Sequence, residues 1–314
     1  MLEAVRHATG LPDSHPDYDD ARLRIEISDT LRTVFGVPIV KAKAGYWLQP
    51  HTGDMVSGTS VYQIPGRSMA QGLKSIEVRQ SSTDDYYPLD EISFEMAGRY
   101  DTRSGKPAKY VVYTDFVRIV PKPDSSNYDF RMWYYLRPAD LVEEQTTSGI
   151  ITSLNTSTRV ALMALTPADR DTGNDITSSS TVDVVSTVGA HETHLVGASL
   201  SAVASDTSVT FASGTDLSRV VVGDAVRAAG QTDWPMLPQE FHRTLADVTG
   251  AVILAGGIGA VQKAGGLTGK AGDDYKRFID LLEPRVKDNA RKLIPRVRPG
   301  VRGRFGTRWP VASS

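Results

Sequence analysis

Cysteine is absent from this chain of 314 residues, which excludes disulfides, thiolate metal sites and cysteine nucleophiles and fits a protein made and used in a reducing cytoplasm. No apolar run approaches the roughly 18 residues that a membrane span requires, and the first 24 residues lack the apolar stretch of a signal peptide. No membrane association is expected. Histidine is scarce, at six residues, and none stands in a nucleophile-elbow context, so no Ser/His/Asp set is legible. Aromatic residues make up only 8%. What remains, 40% hydrophobic and 23% charged, is a globular composition long enough for one large domain or two of ordinary size.

Against that low aromatic content, residues 128–138 (YDFRMWYYLRP) concentrate rings in one short stretch. Read at period two, Phe130, Met132, Tyr134 and Leu136 point one way and form an apolar core face. Arg131, Trp133, Tyr135 and Arg137 point the other way and form an amphipathic face. Pro138 has no amide to give to a ladder and ends the strand. Trp, Tyr and Arg are the residues enriched where interfaces carry their energy. Trp133, Tyr135 and Arg137 are therefore candidates for contact with another protein.

Residues 18–35 read as a helix, with Leu23, Ile27, Leu31 and Val34 on one face, Asp19 and Asp20 at its N-terminus, and Gly36, Val37 and Pro38 ending it. A loop carrying Gly45, Pro50, Gly53 and Gly58 is expected next, with Tyr46 and Trp47 as anchors on a neighbouring surface. Ile64, Pro65 and Gly66 read as a turn, residues 76–79 as a strand, and residues 88–98 as a short helix closed by Gly98. Two apolar runs around Thr114 and Asp115 signal a hairpin. Between residues 149 and 230 Ser and Thr become dense and the helical period is lost. Short strands are expected at 150–151, 159–162, 182–185, 195–196, 209–211 and 219–222, giving an all-β insertion built from local turns. Helix returns with Phe241, Leu245, Val248, Val252 and Ala255 on one face. A glycine-rich break at 256–272 follows, then a second helical face of Tyr275, Phe278 or Ile279, Leu282 and Val286.

The motifs that suggest chemistry fail on inspection. GGLTGK at 265–270 lacks the first glycine of a phosphate loop, where Ala264 stands, and the hydroxyl after the lysine, where Ala271 stands. GGIGAV at 256–261 has Gln262 in the third glycine position of a dinucleotide fingerprint and no strand before it. His191 and His194 have no third ligand cluster nearby and read as a surface loop. Asp84–Asp85, Asp169/Asp171 and Asp273–Asp274 are carboxylate pairs in turn-like settings, expected to be capping or solvated. No catalytic residue, cofactor or metal site is assigned.

The net charge of −2 conceals an asymmetry. Residues 285–308 hold nine basic residues (Arg285, Lys287, Arg291, Lys292, Arg296, Arg298, Arg302, Arg304 and Arg308) and one acid, a net of +8, so the rest of the chain carries −10. Such a segment is made to touch something negative. Phe305 and Trp309 within it argue against a purely solvating role.

The order of segments resembles that of bacteriophage head-to-tail adaptor (connector, or head completion) proteins. The resemblance rests on Ile64-Pro65, the Gly-x-Pro-x-x-Tyr stretch at 105–110, the Pro-x-Pro turn at 121–123, the Tyr-Tyr-x-Arg-Pro strand end at 134–138 and the Leu-Pro-x-Glu helix start at 237–240. It covers about two thirds of the chain and leaves the glycine-rich segment and the long basic tail unmatched. It implies a structural virion protein at the head–tail junction, assembled in the host cytoplasm: a closed ring, typically of about twelve copies, that docks on the portal protein, receives tail or neck proteins and lets double-stranded DNA pass during ejection. The expected fold is α+β. A helical body (residues 1–148 with a hairpin and strand, and 231–290) carries a β insertion (149–230) and an extended basic tail (291–314). The tail, from Arg285 to Trp309, is expected to dock on the portal, and Trp133, Tyr135 and Arg137 to meet the neighbouring subunit. A DNA-binding virion protein using the arginine-rich tail, a tail-tube or neck stopper protein, and a wall-degrading enzyme are the alternatives.

Overall fold

The computed structural model describes residues 1–13, 15–43, 45–100, 103–142, 149–165, 176, 180–203, 208–256 and 261–282. The fold is mixed α+β. Three helices open the chain: α1 (Leu2–Thr9), α2 (Asp20–Thr30) and α3 (Gly36–Ala42). Asp19 caps α2, its carboxylate accepting the Arg22 amide at 2.7 Å, the side-chain acceptor that a helix start requires. A π turn at Leu31–Phe35 joins α2 to α3. The extra residue in that turn rotates the helix face, so Phe35 is fully buried while Val34, expected inside, is exposed. Pro38 does not end the helix: it lies in α3 just past the π turn, and the helix runs on through it to Ala42.

The stretch expected as a loop forms strand β1 (Leu48–Asp54). Pro50 is tolerated there because β1 is the edge of its sheet. Gly53 faces Phe130 across the ladder, where a Cβ would sit 2.7 Å from the ring. Tyr46 and Trp47 are not surface anchors. Both are buried, and the Trp47 indole N–H donates to the Met236 carbonyl at 3.0 Å.

After β2 (Val61–Gln63), the turn at 64–67 leads into β3 (Ser68–Arg79). The expected helix at 88–98 shrinks to α4 (Phe94–Ala97) and one 3-10 turn, because Tyr87–Pro88 and Asp90–Glu91 pair with strands instead. The hairpin forms as expected from β4 (Lys109–Val112) and β5 (Phe116–Val120), followed by β6 (Asp129–Leu136). The first sheet has the order β1–β6–β3 with Tyr87–Pro88 at its edge. The second has the order β2–β5–β4 with Asp90–Glu91. The strands at 48–54, 61–63 and 68–79 fall inside the stretch expected to be helical body.

Strand β6 joins two cores. Phe130 and Met132 pack with Ile76, Val117 and Ile119 between the sheets. Tyr134 and Leu136, on the same face, pack with Leu23, Ile27, Phe35, Leu245 and Phe278 under the helices.

The Ser/Thr-rich region closes into a six-stranded barrel. Its strands are β7 (Gly149–Asn155), β8 (Val160–Leu165), β9 (Thr181–Val185), β10 (Thr193–Val203), β11 (Ser208–Phe211) and β12 (Ala225–Ala228), in the order β7–β8–β11–β10–β9–β12. It is more than local turns: Ile151, Val182, Val184, Val209, Phe211 and Val226 make a core of its own. Residues 219–222, expected as a strand, form turns, and the closing strand is β12.

Helix α5 (His242–Gly256) is buried nearly all round, so Val252 and Ala255 of the expected face are exposed while Ala246, Ile253 and Leu254 are inside. The glycine-rich stretch is mostly helix, since α6 (Val261–Leu282) runs through Gly265, Gly266, Gly269 and Gly272. The pair Asp273–Asp274 therefore lies on a helix. Phe278 seals α6 against Phe241, ring centroids 4.1 Å apart, and against Phe35.

Candidate assembly surface

Burial alternates strictly along β6, with Phe130, Met132, Tyr134 and Leu136 buried and Asp129, Arg131, Trp133 and Tyr135 half-buried. The outer face is already partly organised within the chain. Glu77 of β3, opposite Arg131 in the register, accepts from the Arg131 guanidinium at 2.6 Å and from the Trp133 indole N–H at 3.0 Å. Arg131 also lies over the ring of Tyr86 at 4.1 Å and within 5.2 Å of the Trp133 ring centroid. Arg79 pairs with Asp129 at 2.8 Å at the strand's start. Carboxylate, cation and ring thus hold Trp133 in one orientation, and a fixed aromatic loses little freedom when a partner covers it.

Tyr135 sits above a bulge. The β3–β6 register slips between Trp133 and Leu136, and Gly72 lies in the slipped segment, where a Cβ would come within 2.9 Å of the Tyr135 ring and 2.8 Å of the Met69 carbonyl. Partial burial raises the Tyr135 hydroxyl pKa. Arg137 is exposed past the strand end, and its backbone amide donates to the Arg67 carbonyl at 2.8 Å. Trp133 and Tyr135 thus share the half-buried outer face of β6, and Arg137 is exposed just past its end.

A second surface escaped the sequence reading. At the β4–β5 tip, Tyr113 stacks on Phe116 (centroids 4.5 Å, 18°) and meets Phe94 edge-on at 5.8 Å. Phe94 is 65% exposed and Met96 40%. The available signal was the pair of aromatics bracketing the Thr114–Asp115 turn.

The barrel is tied to the sheet at buried positions. Arg67 pairs with Asp183 of β9, and the Gln49 side-chain amide donates to the Thr193 carbonyl at 2.9 Å. Tyr134 lies beside that ion pair, and burial pushes its hydroxyl pKa up to about 12. His191 and His194 are not a surface loop. His191 is buried between Trp234 and His242, with ring centroids at 5.5 and 5.4 Å, and His194 pairs with Asp224 at 2.8 Å. His194 instead lies in β10. Among the described residues no cluster of three His, Asp or Glu could hold a metal ion, and no helix is long and apolar enough to cross a membrane. The basic stretch from Arg285 to Trp309, Val286 and the pair Asp169/Asp171 lie outside the described residues.

A family model described as SU10 adaptor protein matches residues 1–172, a span that includes α1 to α4, both sheets and the first two barrel strands. No curated protein matches the chain.

Proposed function

From the premise that the chain belongs to the SU10 adaptor protein family, and is a phage adaptor protein and virion component, we propose that it acts as a ring at the head–tail junction. The ring docks on the portal, connects capsid to tail or neck proteins and forms part of the DNA channel. The work is mechanical: sealing, matching symmetry and passing DNA, with no turnover.

The observation that carries this reading is β6. One strand gives its inner face to two cores and presents Trp133 and Tyr135 on the outer face, with Arg137 just past its end. A subunit in a ring uses different patches on its two sides, and the contact must close at a fixed angle. Mounting the contact residues on the strand that both cores share sets that angle by the fold itself. The barrel is the insertion domain, 149–230, carried by a body of residues 1–148 and 231–290. The basic residues of the tail (Arg285, Lys287, Arg291, Lys292, Arg296, Arg298, Arg302, Arg304, Arg308), with Phe305 and Trp309, engage an acidic portal rim. The acidic remainder of the chain lets DNA slide past without adhering.

Light scattering of the chain alone and with a portal tests the proposal. A monomer alone and a closed multimer on the portal is the expected result, lost when Trp133 and Tyr135 are both changed to Ala. Unchanged assembly by that variant would overturn the role of β6. Salt-sensitive binding of DNA by the chain, abolished by neutralising the basic tail, would favour the DNA-binding alternative.

A further inference from the structure

The β4–β5 tip combines two properties that a surface rarely holds without a partner. Phe94, Tyr113 and Phe116 form a connected aromatic cluster with Phe94 largely exposed. Glu95 adjoins Phe94 and Asp115 adjoins Phe116 in the chain, and Asp90 and Glu91 pair alongside β4; all four are exposed. Exposed rings beside carboxylates suit a guanidinium, which pairs with the acid while its plane lies over the ring.

The chain itself supplies that chemistry. Residues 285–308 carry a net charge of +8, and Phe305 and Trp309 add apolar surface. The last described residue, Leu282, is followed by 32 more, which extended would span about 100 Å. A globule of this length has a radius of gyration of about 20 Å, so every point of the surface is within the segment's reach. A tethered segment also meets its own surface at an effective concentration of about 1 mM. Another acidic area, at the start of α2, is a poorer match because Arg6 already pairs with Asp13 and Asp20, and Arg22 with Glu26.

We propose that, in the free chain, the acidic–aromatic tip formed by Phe94, Tyr113, Phe116 and the carboxylates of Asp90, Glu91, Glu95 and Asp115 is the docking site of the same chain's residues 285–309. The contact is a latch. It covers the arginines until a stronger acidic surface competes for them, which keeps them off stray phosphate polymers. The latch extends the adaptor reading and does not depend on the portal being that competitor.

The test is zero-length carbodiimide cross-linking of the full chain, which joins lysine to carboxylate only in direct contact, on a mixture of ordinary and isotope-labelled protein. Links from Lys287 or Lys292 to the tip carboxylates, within one chain and lost at high salt, are the expected result. Changing Phe94 to Ser together with Glu95 and Asp115 to Lys should reduce them at least about tenfold, the factor set by loss of one charge-assisted contact. Circular dichroism of the variant checks that it folds. Links chiefly to the α2 acids, links chiefly between chains, no links, or links indifferent to the variant would each overturn the latch. Portal docking of the same variant, scored separately, should persist. Its loss would also overturn the latch, while failure of the unaltered chain to dock would count against the adaptor reading alone.

Discussion

Arg67, in the turn before β3, closes on Asp183 of barrel strand β9, a carboxylate with no exposure to solvent that also accepts the amides of Gly197 and Gly230, at 2.8 and 2.9 Å. One buried carboxylate therefore holds strand β10 at Gly197, the turn after β12 at Gly230 and the junction with the sheet. Removing one partner of a buried pair leaves the other charged and unsolvated. Asp183→Ala should lower stability by about 3 kcal/mol or more in urea titration. Arg67→Met should cost a comparable amount, since it leaves the unexposed Asp183 carboxylate held only by the amides of Gly197 and Gly230.

The histidines predict a pH dependence. Burial lowers the pKa of His51, His191 and His242, so the unfolded chain takes up protons before the folded one does. Their contribution to stability is full above about pH 6.5, declines as the pH falls through that value, and levels off below the folded-state values. The melting temperature should drop over that window, and the drop should shrink in the double variant His191→Gln, His242→Gln.

Glu77 holds both Arg131 and Trp133, and all three side chains are partly exposed. Glu77→Ala should cost only about 1 kcal/mol of stability yet free the Trp133 ring to rotate. The expected outcome is a small shift in melting temperature, a lower Trp fluorescence anisotropy and weaker ring assembly on the portal. Assembly at the unaltered level would remove Trp133 orientation from the account.

Gly72 leaves room for the Tyr135 ring at the bulge. Gly72→Ala puts a methyl group against both a carbonyl and that ring, and such overpacking costs about 1–3 kcal/mol. Calorimetry should show the destabilisation, and the amide signals of residues 134–136 should move.

How far the sequence carried depended on whether local chemistry was decisive. Strand β6 was legible residue by residue because one dry face imposes period two, and the 4–5 hairpin because two apolar runs flank a polar pair. Asp19 announced its own cap. Other features depended on distant partners. Nothing near Val34 shows that a π turn will bring Phe35 inward instead. Pro50 reads as a loop residue unless β1 is known to be an edge. The glycines of α6 read as a break because each weakens a helix by about 1 kcal/mol, yet the helix continues through them and is anchored by Phe278 against Phe241 and Phe35. Short β-branched runs revealed the barrel strands but not their closure, since Ala225–Ala228 has the weakest local signal and the most consequential place, between β7 and β9. Of the candidate surface, Trp133, Tyr135 and Arg137 came from alternation alone. The tip carboxylates and Phe94 needed the hairpin and α4 brought together.

A barrel whose first and last partners meet has no open ladder to offer. In the proposed ring, copies set side by side would otherwise be free to zip their β-elements together into a runaway fibre. Here the largest all-β unit is inert to that hazard, and Pro50 blunts the outer margin of the first sheet. Recognition between copies in such a ring would then fall to side chains, which can be tuned one residue at a time without opening a ladder edge.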